Sequence, residues 1–365
     1  MKPTRRLVDL ALQGGGSHGA FTWGVLDRLL EEEWLEIAGI SGTSAGAMNA
    51  VALAAGLMEN GRDGARTTLR RFWEGVARQS PFHHLSAASN PFLEGWMNEG
   101  WGQVWQQSWQ KTWQEPMRKG AALMGSVLGS QFSPYQLNPL NLNPLRQVLL
   151  DTVDFTRVCG CDKTQLFIAA TQVRTGALRI FRQHELSPDV VLGSACLPLL
   201  FQAVEIEGEA YWDGGYAGNP SLLPLITESE ADDLLLVQIN PSQRTELPTS
   251  ASDILERINE VTFNASLIKE MRNIALMKQL IADEGRPGHQ YRNPLFQRVE
   301  ALRVHRVDGD PVLGPLGAGT KMQTDLPFLE KLFAAGRAAA DRWLAEHGAA
   351  LGVRSTLDVG AAFGA

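Results

Sequence analysis

The first sixty residues alternate between apolar runs and amphipathic stretches, with glycine turns between them. Residues 5–12 (RRLVDLAL) and 35–41 (LEIAGIS) have the apolar pattern of strands, and each is followed by glycines and a helix-forming segment. Strand, turn and helix repeated in this order are typical of a parallel sheet covered by helices. We therefore predict an α/β fold for this part of the chain.

Between about residues 60 and 142 the pattern changes. This stretch is rich in Arg, Trp and Gln, is broken by Gly and Pro, and has little strand character, so we predict a helical insertion or lid. Strand patterns return at 165–173, 177–182 and 232–240, and the last is nearly continuously apolar, as expected for a strand buried on both faces. The sheet is therefore expected to resume after the insertion.

The C-terminal third has mostly helical spacing. We predict a helical part over about 250–345, interrupted by a strand at 301–308, and a flexible tail over 346–365, where residues are small and weakly patterned. There is no internal repeat and no low-complexity linker. The sequence therefore predicts a single domain over 1–345 with an embedded cap.

Composition narrows the range of functions. At 365 residues, 44% of them hydrophobic, the chain supports a sizeable core, and its formal net charge of −7 argues against a nucleic-acid binder. No segment has the roughly 18 uninterrupted apolar residues of a membrane span, and Asp9 breaks the only stretch that resembles a signal peptide. No metal-ligand cluster is visible, so we predict no cofactor. We expect a cytoplasmic protein, and the sequence does not indicate its oligomeric state.

A glycine-rich loop, GGGSHG at residues 14–19, follows the first predicted strand. It fits the dinucleotide-binding pattern G-x-G-x-x-G, but such backbone N–H groups also suit the oxyanion of an acyl-transfer intermediate. A dinucleotide site places an acidic residue at the end of the second strand, whereas this strand ends in ISG. The pattern therefore favours an oxyanion hole formed by Gly14, Gly15 and Gly16.

Residues 42–46, GTSAG, form a G-x-S-x-G motif between the second predicted strand and its helix. In a nucleophile elbow the serine occupies a strained turn, and glycines on both sides avoid collisions with neighbouring backbone. The carboxyl ends of adjacent parallel strands face one crevice, so this turn and the glycine loop are expected to meet there. We interpret Ser44 as a nucleophile; the alternative is a tight helix entry with an incidental serine.

A serine nucleophile needs a base, and histidine is the usual one. His305 is the best candidate for a conventional Ser–His–Asp esterase, although it lies within a predicted strand. Asp213 is a second candidate, because it ends a short apolar run and two glycines follow it. A strand-end carboxylate on such a turn is placed to reach the crevice, whereas the alternative is an ordinary Asp-Gly turn.

Three motifs together resemble the patatin-like phospholipase family, in which they occur in the same order. They are Gly14-Gly15-Gly16 with Gly19, the G-x-S-x-G at 42–46, and Asp213-Gly214-Gly215. The resemblance covers roughly residues 7–307 and implies a three-layer α/β/α fold with a central, mostly parallel sheet. It also implies a Ser44–Asp213 dyad without histidine and an oxyanion hole at the glycine loop. The expected activity is serine acyl-ester hydrolysis of the lipase or phospholipase A type, through an acyl-enzyme.

His18 is a departure from that family, whose members usually carry Arg or Lys at this position. The basic residue often helps to position the glycine loop or to meet anionic groups, so His18 is a candidate accessory residue. A histidine titrates near neutral pH, which would give activity a pH dependence that Arg would not. The alternative is a structural hydrogen bond.

Within the predicted insertion, tryptophans recur at every fourth residue. They are Trp101, Trp105, Trp109 and Trp113. A stripe at helical spacing is either packed core or the lipid-facing side of an amphipathic lid, since Trp favours the membrane–water interface. The second interpretation predicts peripheral membrane contact.

Two further functions stay open at the level of sequence. An acyltransferase passes the acyl group to an acceptor other than water, and no residue separates it from a hydrolase. A nucleotide- or lipid-binding α/β module would leave Ser44 unused.

Overall fold

The computed structural model describes residues 5–79, 133–244, 246–284 and 291–363. The strands are Arg6–Leu12 (β1), Leu35–Thr43 (β2), Gln165–Gln172 (β3), Leu178–Arg182 (β4), Val204–Ile206 (β5), Glu209–Asp213 (β6), Asp233–Gln238 (β7) and Arg303–Asp308 (β8). The helices are Gly19–Leu29 (α1), Ala45–Arg78 (α2), Pro134–Leu137 (α3), Pro144–Thr152 (α4), Phe155–Cys159 (α5), Pro188–Ser194 (α6), Leu223–Glu228 (α7), Ala251–Glu284 (α8), Pro294–Ala301 (α9), Asp310–Leu313 (α10), Leu326–His347 (α11) and Val359–Phe363 (α12). None of these helices is long and apolar enough to cross a membrane.

The strands form one sheet in the order β5-β6-β3-β2-β1-β7-β8, and β4 also pairs with β3. Five neighbouring strands of the sheet run parallel to one another, namely β3, β2, β1, β7 and β8. Strands β4 and β6 run antiparallel to β3, and β5 runs antiparallel to β6. The predicted α/β class with a central, mostly parallel sheet is confirmed.

Apolar side chains project from both faces of the sheet. On β7, Leu235 and Val237 belong to a core that includes side chains of α1, α2 and α11, whereas Leu234 and Leu236 belong to a second core with α7, α8 and α9. Successive residues of a strand point to opposite faces, which explains this division. The sheet therefore lies between two helical layers, as the family resemblance implied.

The predicted start of the insertion at residue 60 needs correction. Helix α2 kinks at Asn60 and Gly61, where the backbone leaves helical geometry, and then continues to Arg78. Its second half buries Phe72 and Trp73 in the first core, so this part belongs to the body of the fold. The tryptophan stripe lies in the range 80–132, outside the described residues.

The predicted flexible tail is also corrected, for the residues described up to 363. Leu351, Val359 and Phe363 are buried, and the Phe363 carbonyl accepts a hydrogen bond of 2.7 Å from Arg272 Nε on α8. These three apolar side chains and this hydrogen bond hold the segment against the rest of the fold. The sequence pattern was too weak to show it.

Helices α1 and α11 approach so closely that their glycines are needed for packing. A Cβ at Gly336 would lie 2.0 Å from the Phe21 carbonyl oxygen, and a Cβ at Gly24 would lie 2.0 Å from the Phe333 carbonyl oxygen. Each helix thus packs directly against the backbone of the other. This contact joins the C-terminal part of the chain to the first βα unit.

We predict that Gly336→Ala lowers the free energy of unfolding by about 1–3 kcal/mol or more, because the added methyl group forces the two helices apart. Urea denaturation measures the loss. Gly314→Ala is the matched control, since nothing lies within 4 Å of a Cβ there and the backbone is helical. Equal stability of the two variants would contradict the close packing of α1 and α11.

Candidate active site

Ser44 lies on a sharp turn between β2 and α2. Its backbone has φ 53° and ψ −119°, in the left-handed region that a side-chain-bearing residue rarely adopts. A Cβ at Gly42 would lie 2.7 Å from the Gly46 carbonyl oxygen, and a Cβ at Gly46 would lie 2.2 Å from the Leu12 carbonyl oxygen. Both flanking positions therefore require glycine, and the strained conformation is stabilised by its surroundings. The Ser44 N–H donates to Ser194 Oγ at 2.9 Å.

The strand register explains why Asp213 lies near Ser44. Thr43 of β2 pairs with Ala169 of β3, and Ala170 pairs with Asp213 of β6. Strand β6 is antiparallel to β3 but pairs only with its last three residues, so its carboxyl end stays near the carboxyl edge of the parallel strands. Ser44, Ala170 and Asp213 thus follow one another across this edge. The structure brings the two predicted residues together.

The Asp213 carboxyl group is fully buried. Burial raises its pKa to about 7, against the lowering effects of a hydrogen bond from the Gly215 N–H, of the Ser44 hydroxyl and of the Lys321 charge. Gly215 N donates to Oδ1 at 2.7 Å. Among the described residues, Oδ2 has no hydrogen-bond partner that meets ordinary distance and angle limits, although the Ser44 hydroxyl is close enough to lower the pKa of the carboxyl group. Near neutral pH the group is therefore able both to accept and to donate a proton.

The glycine loop contacts the Ser44 turn directly. A Cβ at Gly14 would lie 2.6 Å from Ser44 Cβ, which leaves no room for a side chain. The Gly14 N–H donates to Asn219 Oδ1 at 2.7 Å, so it is not free to bind an oxyanion, and the predicted set is corrected in this respect. Within the described ranges the N–H groups of Gly15 and Gly16 have no acceptor. These two amides are the ones left for an incoming anion.

His18 does not provide the charge or the titration considered from the sequence. Thr320 Oγ1 donates its own proton to the Gly317 carbonyl, so it accepts from His18 Nε2 at 2.7 Å. Burial, followed by the nearby Lys321 charge, lowers the pKa of His18 to about 3. The imidazole is therefore neutral at physiological pH, and its ring makes a hydrogen bond to Thr320.

His305 lies on β8, three strands away from β2 in the sheet. Its Nε2 is 3.0 Å from Asp233 Oδ1 and its Nδ1 is 2.9 Å from Thr356 Oγ1, so both ring nitrogens are occupied. The structure therefore does not bring His305 to Ser44. Across the described ranges, no group of three or more His, Cys, Asp or Glu side chains is placed to hold a metal ion.

Four residues of this site escaped the sequence reasoning. They are Ser194, Asn219, Asn240 and Lys321. Asn219 follows the Asp-Gly-Gly turn by a few residues, and this proximity is the one signal that could have indicated it. The others come from distant segments without a motif.

We predict that Asn219→Ala destabilises the protein by about 1–3 kcal/mol, because the buried Gly14 N–H loses its acceptor. Asn219 Nδ2 also donates to the Phe263 carbonyl at 3.1 Å, so the variant weakens the link between the glycine loop and α8. Chemical denaturation measures the change. Asn273→Ala, an exposed position on α8, is the control and should alter stability by no more than about 0.5 kcal/mol. Similar losses in both variants would contradict this role.

Comparisons with known proteins place the chain in a family. The family model described as Patatin-like phospholipase matches residues 10–226, more than half of the chain. No curated protein matches. VipD from Legionella pneumophila is 15% identical, with 92% of this chain and 67% of that chain covered and a TM-score of 0.37. A chain in the complex of full-length SpcU with full-length ExoU, from the type III secretion system of Pseudomonas aeruginosa, is 14% identical, with coverages of 81% and 68% and a TM-score of 0.28. The family match shows that the chain belongs to the patatin-like phospholipases.

Proposed function

We propose that this protein is a serine acyl-ester hydrolase of the lipase or phospholipase A type, with Ser44 as nucleophile and Asp213 as base. The observation that carries the proposal is a strained serine beside a buried carboxyl group whose Oδ2 has no well-aligned partner among the described residues. Membership of the patatin-like phospholipase family supports carboxylic esters of lipids as the substrate class. No second titratable side chain is required for the chemistry.

In the first half of the reaction, the Asp213 carboxylate accepts the Ser44 hydroxyl proton while Oγ attacks the ester carbonyl carbon. The carbonyl π electrons move to oxygen, and the Gly15 and Gly16 N–H groups stabilise the resulting oxyanion. When the tetrahedral intermediate collapses, the ester C–O bond breaks. The protonated Asp213 then donates its proton to the departing alkoxide, and an acyl-enzyme remains on Ser44.

In the second half, Asp213 accepts a proton from water as the water oxygen attacks the acyl carbon. Collapse of this intermediate returns the proton to Ser44 Oγ and releases the carboxylic acid. A carboxyl with a pKa of about 7 is a better base than a free aspartate near 3.8, and it still gives up its proton readily. Alcohols leave more easily than amines, so esters should be cleaved in preference to amides.

We predict that Ser44→Ala and Asp213→Asn each reduce hydrolysis of a p-nitrophenyl acyl ester by roughly a thousandfold or more, as removal of a nucleophile or its base does. Ser44→Ala should also abolish covalent labelling by a fluorophosphonate. Labelling is measured by mass spectrometry of the intact protein, with the fold of each variant checked by circular dichroism.

Two controls accompany these variants. Ser41→Ala removes a buried hydroxyl from the same strand, one that donates to the Ser221 carbonyl, and should retain activity. His305→Gln tests the conventional Ser–His–Asp alternative and should also retain turnover in folded protein. Loss of activity in His305→Gln alone, with Asp213→Asn active, would reverse the assignment of the base.

We predict a pH dependence set by Asp213. The carboxyl must be ionised to accept the serine proton, and its pKa is raised to about 7, so kcat/KM should rise with pH through about 7. An ordinary aspartate would already be ionised well below this range. Steady-state rates on a neutral ester between about pH 5 and 9 test this, and a flat profile from pH 5 upward would contradict it.

A further inference from the structure

Lys321 lies against the glycine loop, although it comes from the far end of the chain. It belongs to a short 3-10 segment, Ala318–Met322, and its carbonyl oxygen would be 2.3 Å from a Cβ at Gly16. Its Nζ donates to Asn240 Oδ1 at 2.8 Å. The amide nitrogen of the same Asn240 donates to the Gly14 carbonyl at 2.7 Å. The ammonium group is thus fixed next to the loop that contacts Ser44.

The same ammonium group is also linked to Asp213. Nζ lies 6.0 Å from the centre of the Phe263 ring. That ring packs on Gly215, where a Cβ would be 2.3 Å from Phe263 Cε1, and the Gly215 N–H donates to Asp213 Oδ1. Lys321 is therefore connected to the Ser44 turn through the glycine loop and to the Asp213 turn through Phe263.

The charge of Lys321 is not cancelled by a direct ion pair in the part of the chain that the structure describes. No carboxylate oxygen there lies within 4.0 Å of Nζ. The surrounding charged groups are Glu256 and Glu260 of α8, Arg244 and Asp213. Arg244 pairs with Glu256 at 3.2 Å and with Glu260 at 2.7 Å, so these carboxylates are already engaged. Because His18 is neutral, Lys321 is the cation that faces the glycine loop among the residues that the structure describes.

We propose that Lys321 is an electrostatic positioning residue of this site, whose ammonium stabilises the Asp213 carboxylate before attack and the oxyanion at Gly15 and Gly16 after it. The proposal rests on the proposed function and adds a residue beyond the range that the family model matches. A fixed positive charge beside a developing negative one is effective where water is excluded. The Lys321 charge lowers the pKa of Asp213, and burial lowers the pKa of Lys321 itself to about 8.

Three variants separate charge from structure. Lys321→Met removes the charge, Lys321→Gln removes it but keeps a donor for Asn240, and Lys321→Arg keeps a charge that persists at high pH. Lys331→Met, at an exposed position on α11, is the matched control. Each is assayed for kcat/KM on a neutral p-nitrophenyl ester between about pH 5 and 10, after thermal unfolding has shown that it is folded.

The variants without the charge are expected to lose activity at low pH, whereas Lys321→Arg is expected to keep activity that the wild type loses at high pH. Without the charge, the pKa of Asp213 rises further, so Lys321→Met and Lys321→Gln shift the acid limb upward by about one pH unit and lose roughly fivefold at pH 7. In the wild type, activity declines above about pH 8 as Lys321 loses its proton, and Lys321→Arg removes that decline. A uniform loss at every pH, without a shifted limb, would show a purely structural role and overturn the proposal.

A measurement without turnover tests the same link. With ¹³C-carboxyl-labelled aspartate, the NMR resonance that disappears in Asp213→Asn should titrate near pH 7 in the wild type and about one unit higher in Lys321→Met. An unmoved titration overturns the Lys321 proposal, whatever the activity. If the titration shifts but the wild type hydrolyses no ester and Ser44 is not labelled, the proposed function fails while the electrostatic link is supported.

Discussion

Two backbone turns meet at the carboxyl ends of β1 and β2 with no room for a side chain between them. The space at Gly14 is occupied by Ser44, and the space at Gly46 is occupied by the carbonyl of Leu12. This contact requires that β1 and β2 be adjacent and parallel and that each be followed at once by a helix. It also places the amides of Gly15 and Gly16, which have no acceptor among the described residues, beside a serine with a positive φ. Asn219 and Asn240 hold the glycine loop in this contact through hydrogen bonds to the Gly14 backbone.

The chemistry proposed for the site depends on burial rather than on a histidine. A carboxylate in water is a weak base, and the fully buried Asp213 is made stronger because desolvation disfavours its charged form. The same burial would leave the group protonated and useless as a base if nothing opposed it. The Gly215 N–H, the Ser44 hydroxyl and the Lys321 charge supply that opposition, so the pKa of the carboxyl group lies near neutrality.

The Lys321 contribution to that balance, and the residues that hold Lys321 in place, come from outside the range matched by the family model. Asn240 follows β7, Phe263 lies on α8, and Lys321 precedes α11. The salt bridges of Arg244 to Glu256 and Glu260 connect the segment after β7 to the same helix. The C-terminal part of the chain is therefore a structural component of the site as well as a covering layer of the sheet.

The order of strands and helices, the family and the two glycine motifs were readable from the sequence, because these features depend on periodicity and on local backbone requirements. Tertiary structure alone places Asn219 on the Gly14 amide, buries His18 so that it stays neutral, and packs the segment up to Phe363. It also decided that Lys321, rather than residue 18, brings positive charge to the loop. Hydrogen-bond partners, desolvation and charge at a point in space depend on residues hundreds of positions apart, which leave no periodic or local pattern in the chain. The register of β2, β3 and β6, which aligns Ser44 with Asp213, belongs to the same class of long-range facts.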